Sequence, residues 1–408
     1  MARTVFAGGK VFDGTGAALA DADVVVEGGS ILDVGQGLDG DERVDLAGKA
    51  LLPGMFDCHT HVMFEGIDIL KSLTTPFSMR FYTAIHSLRR TLACGITTIR
   101  DAGGADLGVK QAVADGLIEG PRMQISIVMI SQTGGHGDEW MPCGAVVPVF
   151  GGPYPGSPSA IVDGPEEMRR KVRELIRDGA DVIKVATTGG VLSPRDDPRH
   201  AHFRDDELEV LVGEAAAAGI WVMAHAQGTP GVKAAIRAGI RSIDHGVYLD
   251  DEAISMMLDR GTYYVPTLVA PAGVLRAVEQ GVQLPENIVQ KARETIEAHR
   301  DSFKRAVAAG VKVAMGTDSA VTPHGENLRE LALMAEGGME PSDVLVATTS
   351  RAAELMGLRE QLGTIEPGKR ADLVVVDGDP FDVATLGERI DAVYQDGRLV
   401  SGSAPGTG

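Results

Sequence analysis

The middle of the chain alternates short apolar runs with amphipathic segments, and this alternation limits the possible folds more than any other feature. Eight apolar runs have the length of β-strands: Met55–His61, Ile96–Asp101, Met123–Ser131, Asp181–Thr187, Trp221–His225, Ser242–His245, Thr262–Leu268 and Val311–Asp318. Helical patterns lie between them, among them Glu166–Asp178, Asp205–Ala218, Pro230–Ala238 and Glu286–Ala309. Eight strand–helix units predict an α/β fold, a closed parallel (β/α)8 barrel of the TIM type, rather than an open sheet.

The two ends of the chain have a different texture. Strand-like runs broken by Gly-Gly and Asp-Gly turns occur near the start at Thr4–Ala7, Ala22–Glu27 and Ser30–Val34, and recur near the end at Ala371–Val376, Ala392–Tyr394 and Leu399–Val400. The start shows no helical period, and the end resembles it. We therefore expect residues 1–54 and 360–408 to form one composite β-sandwich domain, and residues 55–359 to form the barrel domain.

Charge and cysteine content narrow the class of protein further. The 408 residues include 38 Lys and Arg against 57 Asp and Glu, a net charge of −19. Nucleic acids and anionic membranes bind clustered positive charge, so neither is expected as a partner. The cysteines Cys58, Cys94 and Cys143 are too few for a disulfide framework, and the first residues contain no apolar export signal. We expect a cytoplasmic protein.

The first predicted barrel strand ends in two histidines, within the sequence LLPGMFDCHTH. Residues two apart in a strand point to the same face, so His59 and His61 share one side of the strand at its C-terminal end. In a barrel that end is the catalytic face. Neutral imidazoles are good Zn²⁺ ligands, so the pair is a candidate metal site, although an isolated pair of this kind is equally compatible with a chance surface position.

Other ligand-type side chains lie in or at the C-terminal ends of later strands: Lys184, His225, His245 and Asp318. Lys184 lies within the apolar run DVIKVAT. A charged lysine there costs several kcal/mol if it is unpaired, so we expect it to be neutralised, paired or modified. Each residue alone is compatible with a place in the core or on the rim. Their coincidence on one barrel rim is hard to explain by packing and favours a metal site.

Two long segments interrupt the alternation after strands three and four, at Gln132–Asp163 and Thr188–Phe203. Structureless loops of this length are usually functional, often as lids. The first contains His136 within the sequence SQTGGHGD. We interpret His136 as a residue of the active site, because its loop lies on the catalytic side of the barrel.

In their order along the chain, these segments resemble the amidohydrolase superfamily. The matching motifs are LLPGMFDCHTH, SQTGGHGD, DVIKVATTGG, HAQG, DHG, GTDS and GTIEPGKRADLVVVDGDP. The resemblance covers nearly the whole chain. It is closest to the branch of binuclear-zinc dipeptidases and Xaa-Pro or Xaa-Arg carboxypeptidases, which also contains ochratoxin-degrading amidases and is related to imidazolonepropionase-like proteins.

The resemblance implies two divalent metal ions, with zinc expected, and a role for each candidate residue. The implied ligands are His59, His61 and Asp318 for one ion, His225 and His245 for the other, and Lys184, carboxylated by CO₂ to N6-carboxylysine, as a bridge beside a hydroxide. Asp318 would also serve as general base and acid, passing the hydroxide's proton to the leaving amine. His136 would hydrogen-bond the oxygen of the scissile carbonyl.

Several positions carry weaker or negative expectations. Where this branch often has a tyrosine thought to contact the substrate carboxylate, the chain has Gln227, which puts recognition of a free carboxylate in doubt. Further candidates for substrate contact are Tyr248, His202, whose alternative is a solvent-exposed position, and His324, whose alternative is a structural role. His86 and His299 lie in helical patterns away from strand ends and are interpreted as structural.

The leading hypothesis is a binuclear metal-dependent amidase or dipeptidase (EC 3.4.13 or 3.5) acting on a small molecule. Its substrate would be a dipeptide, an N-acyl amino acid or a xenobiotic amide. One alternative is a mononuclear cyclic-amide hydrolase or deaminase resembling imidazolonepropionase, and another is a non-catalytic scaffold on the same fold. Lys184 favours the binuclear reading, because mononuclear relatives lack this lysine. The resemblance also implies a homo-oligomer.

Overall fold

The computed structural model describes residues 2–141, 143–146, 153–193 and 195–403. The strands are β1 (Arg3–Ala7), β2 (Lys10–Val11), β3 (Ala20–Asp21), β4 (Asp23–Glu27), β5 (Ser30–Gly35), β6 (Glu42–Asp45), β7 (Lys49–Pro53), β8 (Met55–Thr60), β9 (Ile96–Asp101), β10 (Arg122–Ile125), β11 (Met129–Ile130), β12 (Val182–Ala186), β13 (Trp221–Ala226), β14 (Ser242–His245), β15 (Tyr263–Val265), β16 (Leu373–Asp377), β17 (Ile390–Gln395) and β18 (Arg398–Gly402). The helices are α1 (Ile69–Thr74), α2 (Met79–Ala93), α3 (Leu107–Ala114), α4 (Pro165–Arg177), α5 (Asp205–Ala217), α6 (Thr229–Ala238), α7 (Asp251–Arg260), α8 (Val269–Glu279), α9 (Glu286–Ala309), α10 (Arg329–Glu336), α11 (Pro341–Ala347) and α12 (Ser350–Leu355), with a 3₁₀ helix at Leu386–Glu388.

Parallel strands form the barrel in the middle of the chain. β8 pairs with β9 and β9 with β10, while β11 to β15 pair in chain order, all in parallel. The intervening helices bury one apolar face each, as α4 does with Met168, Val172 and Leu175. The parallel pairing of these strands in chain order, with helices between them, confirms the predicted α/β barrel.

Residues 311–318 close the barrel, although they do not form the regular eighth strand that the sequence predicts. On one side, the N–H of Tyr264 donates to the carbonyl of Lys312 at 2.8 Å. On the other side, the N–H of Asp318 donates to the carbonyl of His59 at 2.8 Å. Asp318 has a φ of +59°, outside the β region, so the segment ends in a turn instead of continuing as a strand.

The third predicted strand, Met123–Ser131, is broken into β10 and β11. Between them Ile127 has a φ of +68°, a conformation that costs a β-branched residue free energy. After this break Met129 pairs with Lys184 of β12. The prediction of one continuous strand here was wrong, and the break places Val128 and Met129 in the wall of the large cavity described below.

Strands from both chain ends pack together into a β-sandwich. One sheet has the order β5-β4-β1-β6, and the other has the order β18-β17-β16-β7-β2-β3. Their facing side chains share a core in which the rings of Phe6 and Tyr394 meet edge to face, with centroids 4.8 Å apart. The composite sandwich is therefore confirmed, while the division of the chain at residues 54 and 360 stays a prediction.

The helices begin and end at residues suited to those positions. The carboxylates of Asp106 and Asp250 accept hydrogen bonds from the first turns of α3 and α7. Gly261, directly after the last residue of α7, has a φ of +65°, which glycine adopts without steric cost. Among the helices in the described part of the chain, none is long and apolar enough to cross a membrane.

Candidate metal centre

Six side chains converge at the C-terminal end of the barrel, and we call them the ligand cluster: His59, His61, Lys184, His225, His245 and Asp318. His59, His225 and His245 lie at or near the ends of their strands. His61 directly follows β8, and Asp318 ends the segment that closes the barrel. All six line one cavity, as the sequence pattern predicts. The parallel barrel explains this, because its strand ends meet on one face.

Five imidazole rings form a continuous row across this face. Successive ring centroids are 5.4 Å apart from His61 to His59, 4.9 Å from His59 to His245, 4.5 Å from His245 to His225 and 4.2 Å from His225 to His136. The rings of His225 and His136 stack with 22° between their planes. His136, from the first long insert, therefore directly adjoins the ligand cluster.

Each histidine of the ligand cluster is held through one ring nitrogen, which leaves the other nitrogen for a ligand. The contacts are His59 Nδ1 to Asp244 Oδ2 at 2.9 Å, His61 Nδ1 to Gly103 O at 2.8 Å, His225 Nε2 to Gly189 O at 3.1 Å and His245 Nδ1 to Thr267 Oγ1 at 2.7 Å. Metal-binding histidines are oriented in this way. Burial lowers the pKa of His225 and of His245, so both are neutral at pH 7, the form that binds metals.

Asp318 faces the histidines from the closing segment. Its Oδ1 lies 3.2 Å from His61 Nε2 and 3.4 Å from His59 Nε2. Within the described residues, ligand atoms of His59, His245 and Asp318 all lie within 4.8 Å of one another, close enough to share an ion. Burial would raise the pKa of the Asp318 carboxyl, but the neighbouring histidines hold it well below its usual range.

Lys184 is 1% exposed and paired, as its apolar surroundings in β12 predict. Its Nζ lies 2.9 Å from Oδ2 of Asp244, a buried carboxylate in β14 that the sequence analysis did not identify. Burial lowers the pKa of the Lys184 ammonium against the opposing effect of the Asp244 charge. The signal that singled out Lys184, a charge in an apolar strand, also marks Arg100 in β9, another buried residue that was missed.

The ligand cluster opens into a cavity of about 730 Å³. Both long inserts contribute to its wall, which confirms that they lie over the catalytic face. Apolar side chains dominate the wall, among them Val128, Trp140, Met141, Val191, Leu192, Val274 and Ile288. The cavity is large enough for a drug-sized molecule with a bulky apolar group.

One lysine of α9 makes three hydrogen bonds to the second insert, Thr188–Phe203. Lys291 Nζ donates to the backbone carbonyls of Gly190, Ser193 and Asp196 at 2.7, 2.5 and 3.1 Å. The Ser193 hydroxyl in turn lies 2.8 Å from Nδ1 of His136. The position of the His136 ring therefore depends on how this insert is held.

The remaining predicted substrate contacts have mixed outcomes. Gln227 lines the cavity, and its Oε1 has no hydrogen-bond partner among the residues that the structure describes. Tyr248, His202 and His324 do not line it: Tyr248 is half-buried elsewhere, and the two histidines are buried behind the wall. Because His202 is buried, its solvent-exposed alternative was wrong. His299, interpreted as structural, lies on α9 and lines the cavity.

Three comparisons with known proteins bear on this site. A sequence profile described as the Amidohydrolase family matches residues 50–400. Ochratoxinase from Aspergillus niger is 34% identical over 99% of this chain and 88% of that protein, and imidazolonepropionase from Caldanaerobacter subterraneus subsp. tengcongensis is 26% identical over 89% and 86%. The crystal structure of a Xaa-Pro dipeptidase with bound methionine in its active site is similar with a TM-score of 0.90 and 34% identity, over 97% of this chain and 99% of that one.

Proposed function

This chain belongs to the amidohydrolase family and is a hydrolase of the amidohydrolase type acting on amide bonds, and we propose that it is a binuclear metal enzyme for small amides with a bulky apolar group. The observation that carries the proposal is the ligand cluster: four histidines, each held through one nitrogen, around a buried lysine and a carboxylate. A group of residues that only packed the core would not need this orientation of every ring.

Four imidazoles, a carboxylate and a lysine open to carboxylation offer donors for two divalent ions, and we divide them between the two. His59, His61 and Asp318 would hold one ion, and His225 and His245 would hold the other. Lys184, carboxylated by CO₂, would supply oxygen ligands to both and would remove the cost of burying an ammonium. Zinc is the expected metal, because neutral imidazole and carboxylate oxygen are its common ligands. When bound, such ions lower the pKa of water and polarise a carbonyl group.

Asp318 and His136 are assigned the proton transfer and the stabilisation of the carbonyl oxygen. Asp318 Oδ1 accepts the proton of the attacking water and returns it to the leaving nitrogen, which otherwise leaves poorly as an amide anion. Because the Ser193 hydroxyl donates to the Asp196 carboxylate, its oxygen accepts from the Nδ1–H of His136 at 2.8 Å. With Nδ1–H directed at Ser193, His136 can donate to the carbonyl oxygen only when Nε2 also carries a proton, and the Asp196 carboxylate, 3.7 Å from Nδ1, favours that doubly protonated ring as negative charge develops on the oxygen.

The cavity supports a substrate with more apolar surface than a small dipeptide. Leu192, Val274 and Ile288 provide an apolar wall beside the second insert. Gln227 Oε1 has no partner among the described side chains and backbone groups, so it is available to accept an N–H of the substrate. We therefore favour an N-acyl amino acid or a xenobiotic amide with an aromatic or long aliphatic group.

A substrate screen combined with metal analysis tests this proposal. Protein supplied with Zn²⁺ and bicarbonate is assayed against ochratoxin, Xaa-Pro dipeptides and N-acyl amino acids with acyl groups of increasing size. Products are identified by mass spectrometry, and bound metal is counted by elemental analysis. We expect two ions per chain and a kcat/KM that rises with the apolar size of the substrate.

Two results would contradict the proposal in different ways. One ion per chain with full activity would favour a mononuclear cyclic-amide hydrolase, the alternative raised by the similarity to imidazolonepropionase. Absence of hydrolysis across the whole screen by a folded, metal-loaded protein would overturn this substrate range.

A further inference from the structure

One buried carboxylate lies beneath the ligand cluster and contacts two of its members. Asp244 Oδ2 lies 2.9 Å from Lys184 Nζ and 2.9 Å from His59 Nδ1. Asp244 is fully buried, and so are its two partners to within 1% exposure. A single oxygen atom therefore fixes the positions of a lysine nitrogen in β12 and of a histidine ring in β8.

The other oxygen of Asp244 is held as firmly. Oδ1 accepts from the Ser242 hydroxyl at 2.9 Å and from a guanidinium nitrogen of Arg100 at 3.4 Å. Arg100 also donates to Ser242 Oγ at 3.2 Å and, through Nε, to the carbonyl of Cys58 at 2.7 Å. Arg100 is 3% exposed. The carboxylate is thus held from strands β9 and β14 while it faces β8 and β12.

From this geometry we propose that Asp244, held by Arg100 and Ser242, is a positioning residue that places the Lys184 nitrogen for carboxylation and fixes the His59 ring with Nε2 toward the metal. The inference rests on the proposed function and extends it to residues outside the ligand cluster. Asp244 itself is not assigned as a ligand, since its oxygens are occupied by hydrogen bonds to the protein.

Carboxylation leaves the contact with Asp244 possible. The lone pair of Nζ forms a bond to the carbon of CO₂, and one C=O electron pair moves onto oxygen. Starting from the ammonium, two protons pass to water, so the product is a carbamate anion that retains one N–H. That N–H can still donate to Asp244 Oδ2, which leaves both carbamate oxygens for ions. The same carboxylate thus holds the nitrogen before and after modification.

An asparagine cannot replace Asp244 in this arrangement, although it has the same shape. All four contacts of the carboxylate are made to donors. The amide of asparagine has one acceptor oxygen and one donor nitrogen, so its nitrogen would face either Lys184 and His59 or Arg100 and Ser242. Either orientation opposes donors to donors and releases one side of the arrangement.

The test is the carbamate itself, observed independently of catalysis. Wild-type protein and Asp244→Asn are incubated with Zn²⁺ and ¹³C-bicarbonate, the carbamate carbon is measured by ¹³C NMR, and bound metal is counted. We expect one carbamate per chain in the wild type and at least a tenfold lower signal in the variant, with reduced metal content. Glu330→Gln is the matched control, because it removes a fully buried carboxylate that does not contact Lys184, and it should retain the carbamate.

The outcomes separate this inference from the proposed function. A wild type without carbamate would overturn both. A wild type with carbamate and an Asp244→Asn protein that retains the full signal and metal would overturn only the role of Asp244. If Asp244→Asn does not fold, Ser242→Ala removes one of the two donors to Oδ1. It should lower carbamate occupancy at limiting bicarbonate about threefold, the effect of one hydrogen bond, and unchanged occupancy would count against the proposal.

Discussion

The ligand cluster and the wall of the cavity above it are built in different ways. The cluster lies on or directly after strands, and each of its histidines is held by a short hydrogen bond to a buried or backbone group. The wall is formed in part by two inserts without α-helices in their described residues, and three backbone carbonyls of one insert accept from Lys291 of α9. We infer that the cluster determines whether an amide is hydrolysed, and that the wall determines which amide is accepted.

The largest difference in kcat is expected between substitutions of two carboxylates that line the same cavity, one in the cluster and one in the wall. Asp318→Asn removes the proposed proton acceptor and a metal ligand, so kcat should fall about 10³-fold and bound metal should decrease. Asp138→Asn changes a carboxylate of the wall, where Oδ2 accepts from the Gly134 N–H, and kcat should stay within tenfold of the wild type. Steady-state kinetics and metal analysis check both, and equal losses would remove the distinction.

Gly190 of the second insert lies against the His136 ring, so a substitution at this position tests whether the wall also affects the rate of hydrolysis. A Cβ atom at this position would lie 2.1 to 2.6 Å from three atoms of the His136 ring, so Gly190→Ala must displace that ring. Loss of the proposed donor to the carbonyl oxygen should lower kcat about 10²-fold, with metal content unchanged.

Gly213→Ala serves as the control for this glycine substitution. Gly213 lies in helix α5, and a Cβ there would meet no atom within 4 Å. Its activity should match the wild type, and its stability should rise slightly, because alanine favours a helix over glycine. If Gly190→Ala lost metal instead of kcat, the two regions would not be separable at this point.

The sequence was sufficient to bring the six side chains of the cluster together, because each lies within or directly after a predicted parallel strand. Two predicted strands, Ile96–Asp101 and Ser242–His245, have the predicted bounds. Asp244 was missed because alternation in a strand should turn it away from its neighbour His245. The φ of +72° at His245 breaks that alternation, so both side chains face the site.

The wall could not be predicted in the same way, because its contacts join distant parts of the chain. Lys291 and Gly190 are 101 residues apart, and neither position carries a local pattern that indicates the contact. The place of His299 in the cavity wall was not predicted for a related reason: a helical pattern shows that it is on a helix, but not which neighbour its face meets. Such packing depends on where the inserts settle, and they follow no strand or helix period.

Lys291→Met tests how far the shape of the wall depends on this lysine behind the second insert. The substitution keeps most of the apolar stem but removes three hydrogen bonds to carbonyls of the second insert. A looser insert should raise KM about tenfold, the effect of roughly 1.4 kcal/mol, with a smaller change in kcat and unchanged metal. Lys304→Met changes an exposed lysine on the same helix and should have no effect. Steady-state kinetics with the best substrate of the screen measure KM and kcat for both variants. Loss of metal from Lys291→Met would contradict the inference that the cluster and the wall have separate roles.

The smallest effect on activity is expected at Glu330, which supports the wall from behind. Its oxygens accept from the N–H groups of Leu268 and Val269 at the start of α8. Burial raises the pKa of Glu330 to about 8 from an ordinary 4.5, and the negative charge of Asp57 contributes. Between these values the unfolded chain ionises while the folded protein keeps the proton, so stability falls as pH rises through this window and is level above it.

Glu330→Gln cannot titrate and therefore lacks this pH dependence. The free energy of unfolding of the wild type, minus that of the variant, should decrease by as much as about 3 kcal/mol between pH 5 and pH 8. Urea unfolding of both proteins at a series of pH values measures this difference, and effects of metal ligands common to both cancel. A difference that stays constant or grows with pH would show that the two N–H donors keep Glu330 ionised in the folded protein, and α8 would then be held by a charged carboxylate.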